Sequence, residues 1–176
     1  QRHGLHRRTE RAVGSRRGAD VSLVLGPTSQ NVAANGIRLI RVKSAEEMFN
    51  ACHEFFGEAD LAVMSAAVAD YTPVTKADQK IKKAENNLTL ELTKTKDILK
   101  SLGAIKTKNQ VLVGFALETT NEREYARKKL AEKNADLIVL NSLNDSGAGF
   151  GHDTNKITIF KKGGDEIQFE TKSKDE

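Results

Sequence analysis

Residues 66–83 read AAVADYTPVTKADQKIKK: small apolar residues give way to Asp70, Tyr71 and Pro73, then to Lys76, Lys80, Lys82 and Lys83. An acid beside a concentrated set of lysines suits the handling of a polyanion. Positioned ammonium groups stabilise negative charge, and a carboxylate can accept a hydrogen bond from a ligand or coordinate a cation carried on it; the residues leave both roles open for Asp70. In extended chain Lys80 and Lys82 share one side and Lys83 takes the other. A second pair, Lys129 and Lys133, stands at i, i+4. Like charges at that helical spacing cost about 0.2–0.5 kcal/mol in an isolated helix, so this pair gains from an anion. Lys128, set between Glu124 and Glu132, reads instead as a solvated, paired lysine. A charge run is also what an ordinary solvated face looks like, and spacing alone leaves both readings open.

Other chemistries lack their residues. The sequence holds no GxxxxGK[ST] phosphate loop, no GxGxxG after a first strand and no GxSxG elbow. GAGFG at 147–151 has the glycines but follows a late strand. His3, His6, His53 and His152 have no zinc-ligand spacing with each other or with Cys52. A single cysteine makes no internal disulfide and points to a reducing, cytoplasmic compartment.

The elements that must position these side chains follow from periodicity. DVSLVL (20–25), stopped by Gly26-Pro27, and IRLIRV (37–42) read as strands. SAEEMFNACHEFF starts a helix: Ser44 and Glu47 form a capping box, and Met48, Phe49, Cys52, Phe55 and Phe56 recur at helical spacing as core residues, leaving His53 exposed. DLAVMSAAVAD (60–70) is a continuous apolar run, the pattern of a strand buried on both faces. Its Ser65, Ala66, Ala67 and Ala69 permit either close approach of a ligand or tight helix-to-sheet packing.

NLTLEL (87–92) alternates as a half-exposed strand, and a short helix begins near Asp97. VLVGFALE (111–118) and DLIVLN (136–141) read as buried strands around a helix that Asn121 and Glu124 start. NKITIF and EIQFE flank a Gly-Gly turn as a hairpin. Apolar strands alternating with helices predict an α/β fold: a Rossmann-like parallel sheet flanked by helices, with an antiparallel hairpin extension near the C-terminus. Ligands bind beyond the carboxyl ends of such strands. Those ends lead into Asp70 and the lysine segment, into Phe115, Glu118, Thr119 and Thr120, and into Asn141 and the glycine-rich loop.

The 176 residues suffice for one domain. No apolar run approaches the ~20 residues a membrane helix needs, so no membrane partner is expected. The net charge of +4 is uneven: QRHGLHRRTERAVGSRR, residues 1–17, carries +5 and leaves the rest at −1. The head has no aromatic residue and no helical apolar stripe, so the basic balance does not indicate nucleic-acid binding.

AAVADY followed by KIKK, then TKDIL, VGFALET, EYARKKLAEKNAD, IVLN and FGHDTNKITIF, together resemble phosphopantothenate–cysteine ligase (phosphopantothenoylcysteine synthetase). This is commonly the C-terminal half of a bacterial bifunctional coenzyme A biosynthesis protein. The match runs in order from about residue 18 to 172. The resemblance implies a reaction in which CTP, with Mg2+, activates the carboxylate of 4′-phosphopantothenate as an acyl-cytidylate. The amine of cysteine then displaces CMP. It also implies site residues: Lys80 as the catalytic lysine of a mobile flap, and a nucleotide site of Met64, Asp70, Lys80, Lys96, Asp97, Ile98, Leu99, Phe115, Lys129 and Lys133. Ala66, Lys82 and Lys83 fall on the substrate side. The family is commonly a homodimer with the flap near the partner subunit.

Two departures bear on activity. The family opens with an Asn-x-Ser-Ser-Gly-like loop, which residues 1–17 lack, and continues into a last helix beyond Glu176. Residues 1–17 are therefore expected to be an atypical head, disordered or non-native, such as a frame-shifted copy of the normal segment. Residues 18–176 are expected to form a single CTP-binding ligase domain. Either that domain is active or, without the loop, it is a nucleotide-binding module of the same fold. The flavin-binding decarboxylase partner is expected in the full-length protein, with no FMN bound here.

Overall fold

The computed structural model describes residues 18–28, 36–75, 77, 79, 88–118, 120–142 and 154–173. Five strands form the central sheet: β3 (Leu61–Met64), β6 (Val111–Glu118), β7 (Leu137–Ser142), β9 (Ile157–Lys161) and β10 (Glu166–Gln168), in the order β10-β9-β7-β6-β3. β3, β6 and β7 run parallel, with Leu61 opposite Val111 and Val113 opposite Leu137. β9 and β10 add the antiparallel extension: Leu137 pairs with Lys161 and Phe160 with Glu166. Gly164, at φ 95°, sits in the turn between them, a conformation in which a Cβ would be strained.

Three smaller pairings accompany the sheet. β1 (Val21–Leu25) and β2 (Ile37–Arg41) are parallel; β4 (Tyr71–Pro73) and β5 (Leu92–Lys94) are antiparallel; so are β8 (Thr154–Asn155) and β11 (Lys172–Ser173). The described helices are α1 (Ala45–Phe56), α2 (Ile98–Ile105) and α3 (Glu122–Glu132). None is long and apolar enough to cross a membrane.

Each helix begins where its residues direct. Ser44 accepts from the Glu47 amide at 3.1 Å, and the Glu47 carboxylate accepts from the Lys43 amide at 2.7 Å. This is the predicted capping box with the return bond one residue earlier. Asp97 caps α2 through the Lys100 amide at 2.9 Å. Asn121 precedes α3 as expected but makes no side-chain cap; its backbone is left-handed, φ 48°, a region asparagine tolerates better than most residues. Asn134 ends the same helix at φ 48°, serving as the left-handed stop.

α1 and α2 bury Met48, Ala51, Phe56, Ile98 and Leu102 against Leu112 of β6 and Val42 after β2. α3 buries Ala126 beside Ala116, Ile138, Leu140 and Phe160. Leu99 touches both clusters. Asp136 pins β7 to β6: its amide donates to the Leu112 carbonyl at 2.8 Å and its Oδ2 accepts from the Leu112 amide at 2.8 Å. Its Oδ1 receives Lys106 Nζ at 2.9 Å.

The fold class matches the expectation, and β6 and β7 are buried as read. Three details differ. The apolar run 60–70 is not a strand buried on both faces. It stops pairing at Met64 and forms the sheet's edge, with Leu61 and Val63 exposed at 57% and 45%. Within β3, Ala62 and Met64 meet the core under α1 and α2, because those helices cover one face of the strand; further along the run Ala66 and Val68 also pack against it. NLTLEL pairs later than expected, at Leu92–Lys94, and Leu88, Leu90 and Leu92 stand exposed; its alternation has no core to face. His53 is half-buried rather than exposed. It stacks on Phe49 at 4.1 Å and its Nδ1 donates to the Phe49 carbonyl at 2.9 Å.

Candidate functional site

The parallel strands end toward one rim, and the chain returns to that rim after β5. Asp70 lies between β3 and β4, and its carbonyl accepts from the Thr95 amide at 2.9 Å. Thr95 Oγ1 also donates to the Ala69 carbonyl at 2.6 Å. These bonds fasten the base of the β4–β5 pair and place Lys96 and Asp97 beside Asp70. Gly114 then seats α2 on the sheet. A Cβ there would stand 2.6 Å from Leu99 Cδ2 and 2.8 Å from Ile138 Cδ1, so the glycine of VGFALE lets Leu99 lie on β6.

Lys133 Nζ donates to Asp97 Oδ2 at 2.6 Å. Burial works to raise the Asp97 carboxyl pKa. The bond from Lys133, the bond from the Lys100 amide and the charges of Lys133 and Lys129 outweigh it and hold the group below its ordinary value. Lys129 is more enclosed. Burial pushes its ammonium pKa down; Glu118 opposes this most strongly, Lys133 adds to it, and Asp97 and Asp70 oppose it, with a net lowering. Asp70, Asp97, Glu118, Lys129 and Lys133 thus act on one another at one rim. A partly desolvated lysine held this way interacts more strongly with an arriving anion than one in open water.

The other expected residues take different positions. Lys96 is exposed, its ammonium 4.9 Å from the Phe49 ring centroid. Phe115 is half-buried on β6 opposite Val139. Met64 and Ala66 are partly buried against the first core cluster. Ile98 is 6% exposed and belongs to the core, so its side chain offers nothing to a ligand. Lys80, Lys82, Lys83 and Thr119 lie outside the described residues. Sequence reasoning put Glu118 at the ligand-facing end of β6 without assigning it a role, and took Phe49 for core packing alone. Asn141, at the end of β7, has a buried Oδ1, and Asn155 a buried Nδ2, with no hydrogen-bond partner among the described residues.

Among the described residues no three His, Cys, Asp or Glu side chains are grouped to hold a metal. Magnesium carried on phosphates asks the protein for only one or two carboxylates, and Asp70 and Glu118 are of that kind. A separate cleft of about 330 Å3, lined by Arg127, Asn134, Lys162 and Asp165 among others, adjoins the β9–β10 turn. That turn follows Lys161, which pairs with the first residue of β7, so the cleft is at the opposite rim and contains none of the site residues.

Residues 11–176 match the family described as the DNA/pantothenate metabolism flavoprotein C-terminal domain. The chain is 52% identical over 159 residues to a cysteine/cysteine sulfinic acid decarboxylase of an unknown prokaryotic organism, covering 90% of this chain and 44% of that protein. It is 48% identical over 157 residues to the coenzyme A biosynthesis bifunctional protein CoaBC of Bacillus subtilis (strain 168), covering 89% and 38%. The crystal structure of the C-terminal domain of a CoaBC superposes with a TM-score of 0.76 at 38% identity, covering 97% of this chain and 74% of that one. The chain spans less than half the length of these two curated relatives.

Proposed function

The chain belongs to the DNA/pantothenate metabolism flavoprotein C-terminal domain family, and on that premise we propose that it is a CTP-dependent phosphopantothenate–cysteine ligase domain. The observation that carries the reading is the convergence at one rim of the sheet of the partly buried Lys129 and Lys133 with Asp97, Asp70 and Glu118. In the proposed reaction a carboxylate oxygen of 4′-phosphopantothenate attacks the α-phosphorus of CTP and pyrophosphate leaves. The amine of cysteine then attacks the acyl carbon, CMP leaves, and the amine gives up a proton as the amide forms.

Lys129 and Lys133 bind the phosphates and stabilise the charge that builds on them in the first step. Asp97 orients Lys133. Glu118, with Asp97 and Asp70, offsets part of the burial that disfavours the Lys129 charge. Lys80 in its flap closes over the acyl-cytidylate and keeps water from it, with Lys82 and Lys83 on the substrate side. Magnesium, when bound with the nucleotide, would neutralise part of the phosphate charge.

A cytoplasmic setting and a decarboxylase partner domain in the full-length protein complete the reading. The activity named for the decarboxylase relative is that of a protein of which this chain matches 44%. A second copy is the proposed binding partner, supported by the exposed Tyr71, Val74, Leu88, Leu90 and Leu92 around β4 and β5.

The test is titration with CTP and with ATP in Mg2+, followed by phosphopantothenate and then cysteine, with pyrophosphate release as the readout. Release that needs phosphopantothenate is expected. CTP binding without release reduces the domain to a nucleotide-binding module; no binding of either nucleotide overturns the reading.

A further inference from the structure

Phe49 lies on α1, half-buried beside the first core cluster. One turn later His53 stacks on its ring, centroids 4.1 Å apart and planes 25° from parallel. The His53 Nδ1–H donates to the Phe49 carbonyl at 2.9 Å, which ties that stacking to the backbone of α1. The Lys96 ammonium stands over the Phe49 ring at 4.9 Å from its centroid. α1 therefore fixes the ring through its own next turn, and the ring holds the lysine that immediately precedes Asp97.

We propose that Phe49 is a positioning residue for nucleotide binding, its ring holding the Lys96 ammonium at the rim before the nucleotide arrives. The inference rests on the ligase reading above. An exposed lysine samples many rotamers, and ordering it costs affinity when a ligand must do it. The negative face of an aromatic ring attracts an ammonium and removes part of that cost. A leucine would fill similar space without the quadrupole, whereas a tyrosine would keep it.

Calorimetric titration of the full chain with CTP and Mg2+ tests this in a double-mutant cycle of Phe49→Leu and Lys96→Met, with Phe49→Tyr as the rescue. Phe49→Leu is expected to raise the Kd by about two- to fivefold, the range of one cation–π contact at an exposed site. Phe49→Tyr should bind like the wild type, and Phe49→Leu in the Lys96→Met background should bind no more weakly than Lys96→Met alone. An unmoved Kd for Phe49→Leu, or the same loss in both backgrounds, overturns the proposal, the latter by making the effect one of packing. If Phe49→Leu does not fold, Lys96→Met at its exposed position decides: unchanged affinity there overturns it equally. A wild type that fails to bind CTP overturns the ligase reading and this inference together. A wild type that binds while Phe49→Leu matches it overturns this inference alone.

Discussion

Asp97 uses its two carboxylate oxygens for two tasks: Oδ1 caps α2 and Oδ2 holds Lys133. The tasks separate by substitution. Asn at this position keeps a cap and loses the charge, while Ala loses both; Asp97→Ala should therefore cost about 1 kcal/mol of stability and Asp97→Asn much less, as read by urea denaturation. Both should weaken CTP binding if Lys133 must be held. Lys129 should behave in the opposite sense. Burial disfavours its charge, so Lys129→Met is expected to leave the melting temperature unchanged or raise it, while CTP binding falls about tenfold or more; stability and function often trade in this way at a site.

Acid provides a third check. Asp97 and Asp136 have carboxyl pKa values held below the ordinary one, Asp136 because the Leu112 amide and Lys106 outweigh its burial. Groups depressed in the folded state contribute stability that is present above their unfolded value, about 3.9, and is lost as pH falls through the folded value. Between pH 5 and 3 the melting temperature of the wild type should fall more steeply than that of Asp136→Asn. That Lys129, Lys133 and Asp70 would lie together was legible at this scale, because lysines at i, i+4 and an acid at a strand end announce themselves. Ile98 was not: its segment is at the site but its side chain is in the core, and neighbouring sequence cannot tell a backbone role from a side-chain one. Phe49 was hidden because an aromatic in a helical stripe looks the same whether or not a cation lies over its ring.

The close approach of α2 and α3 depends on one missing side chain. A Cβ on Gly103 would stand 1.8 Å from the Lys133 carbonyl oxygen and 2.9 Å from its carbon. Backbone cannot yield there as a side-chain tip would. Gly103→Ala is expected to destabilise the fold by about 1–3 kcal/mol, the usual scale of overpacking, and to weaken CTP binding by displacing Lys133 from Asp97. Thermal unfolding and nucleotide titration of the same variant would read both. Gly114→Ala meets only the ends of Leu99 and Ile138 and should be milder.

Among the elements, β6, β7 and the β9–β10 hairpin were readable because burial and turn chemistry are local in sequence. The end of the 60–70 run was not. Its apolar residues satisfy a strand pattern throughout, yet pairing ends at Met64. Which strand lies at the edge is decided by pairing partners distant in sequence. The extra apolar positions, Leu61 and Val63, are left facing outward.

At the scale of the whole molecule, the β4–β5 pair is the feature that the alternation of NLTLEL left unexplained. Tyr71 and Leu92 fall on the same face of this pair, Leu88 and Leu90 precede Leu92 at alternate positions, and all four are exposed; such an apolar face is the kind of patch that marks an interaction site. If the proposed dimer forms through this face, replacing Leu90 and Leu92 together with lysine is expected to shift it to monomer in sedimentation velocity, with little change in melting temperature, because neither side chain supports the core; a wild type that sediments as a monomer overturns the dimer proposal. The two strands of this pair also have their roots in the binding rim: Asp70 immediately precedes one, and Lys96 and Asp97 follow the other, joined by the Thr95 amide at 2.9 Å. In the proposed dimer, the face a second copy would press upon is joined through these two strands to the candidate nucleotide rim. In that proposed dimer, occupancy at one rim would be felt at its counterpart, so CTP saturation curves should depart from a simple hyperbola at high protein concentration and approach one as dilution separates the copies.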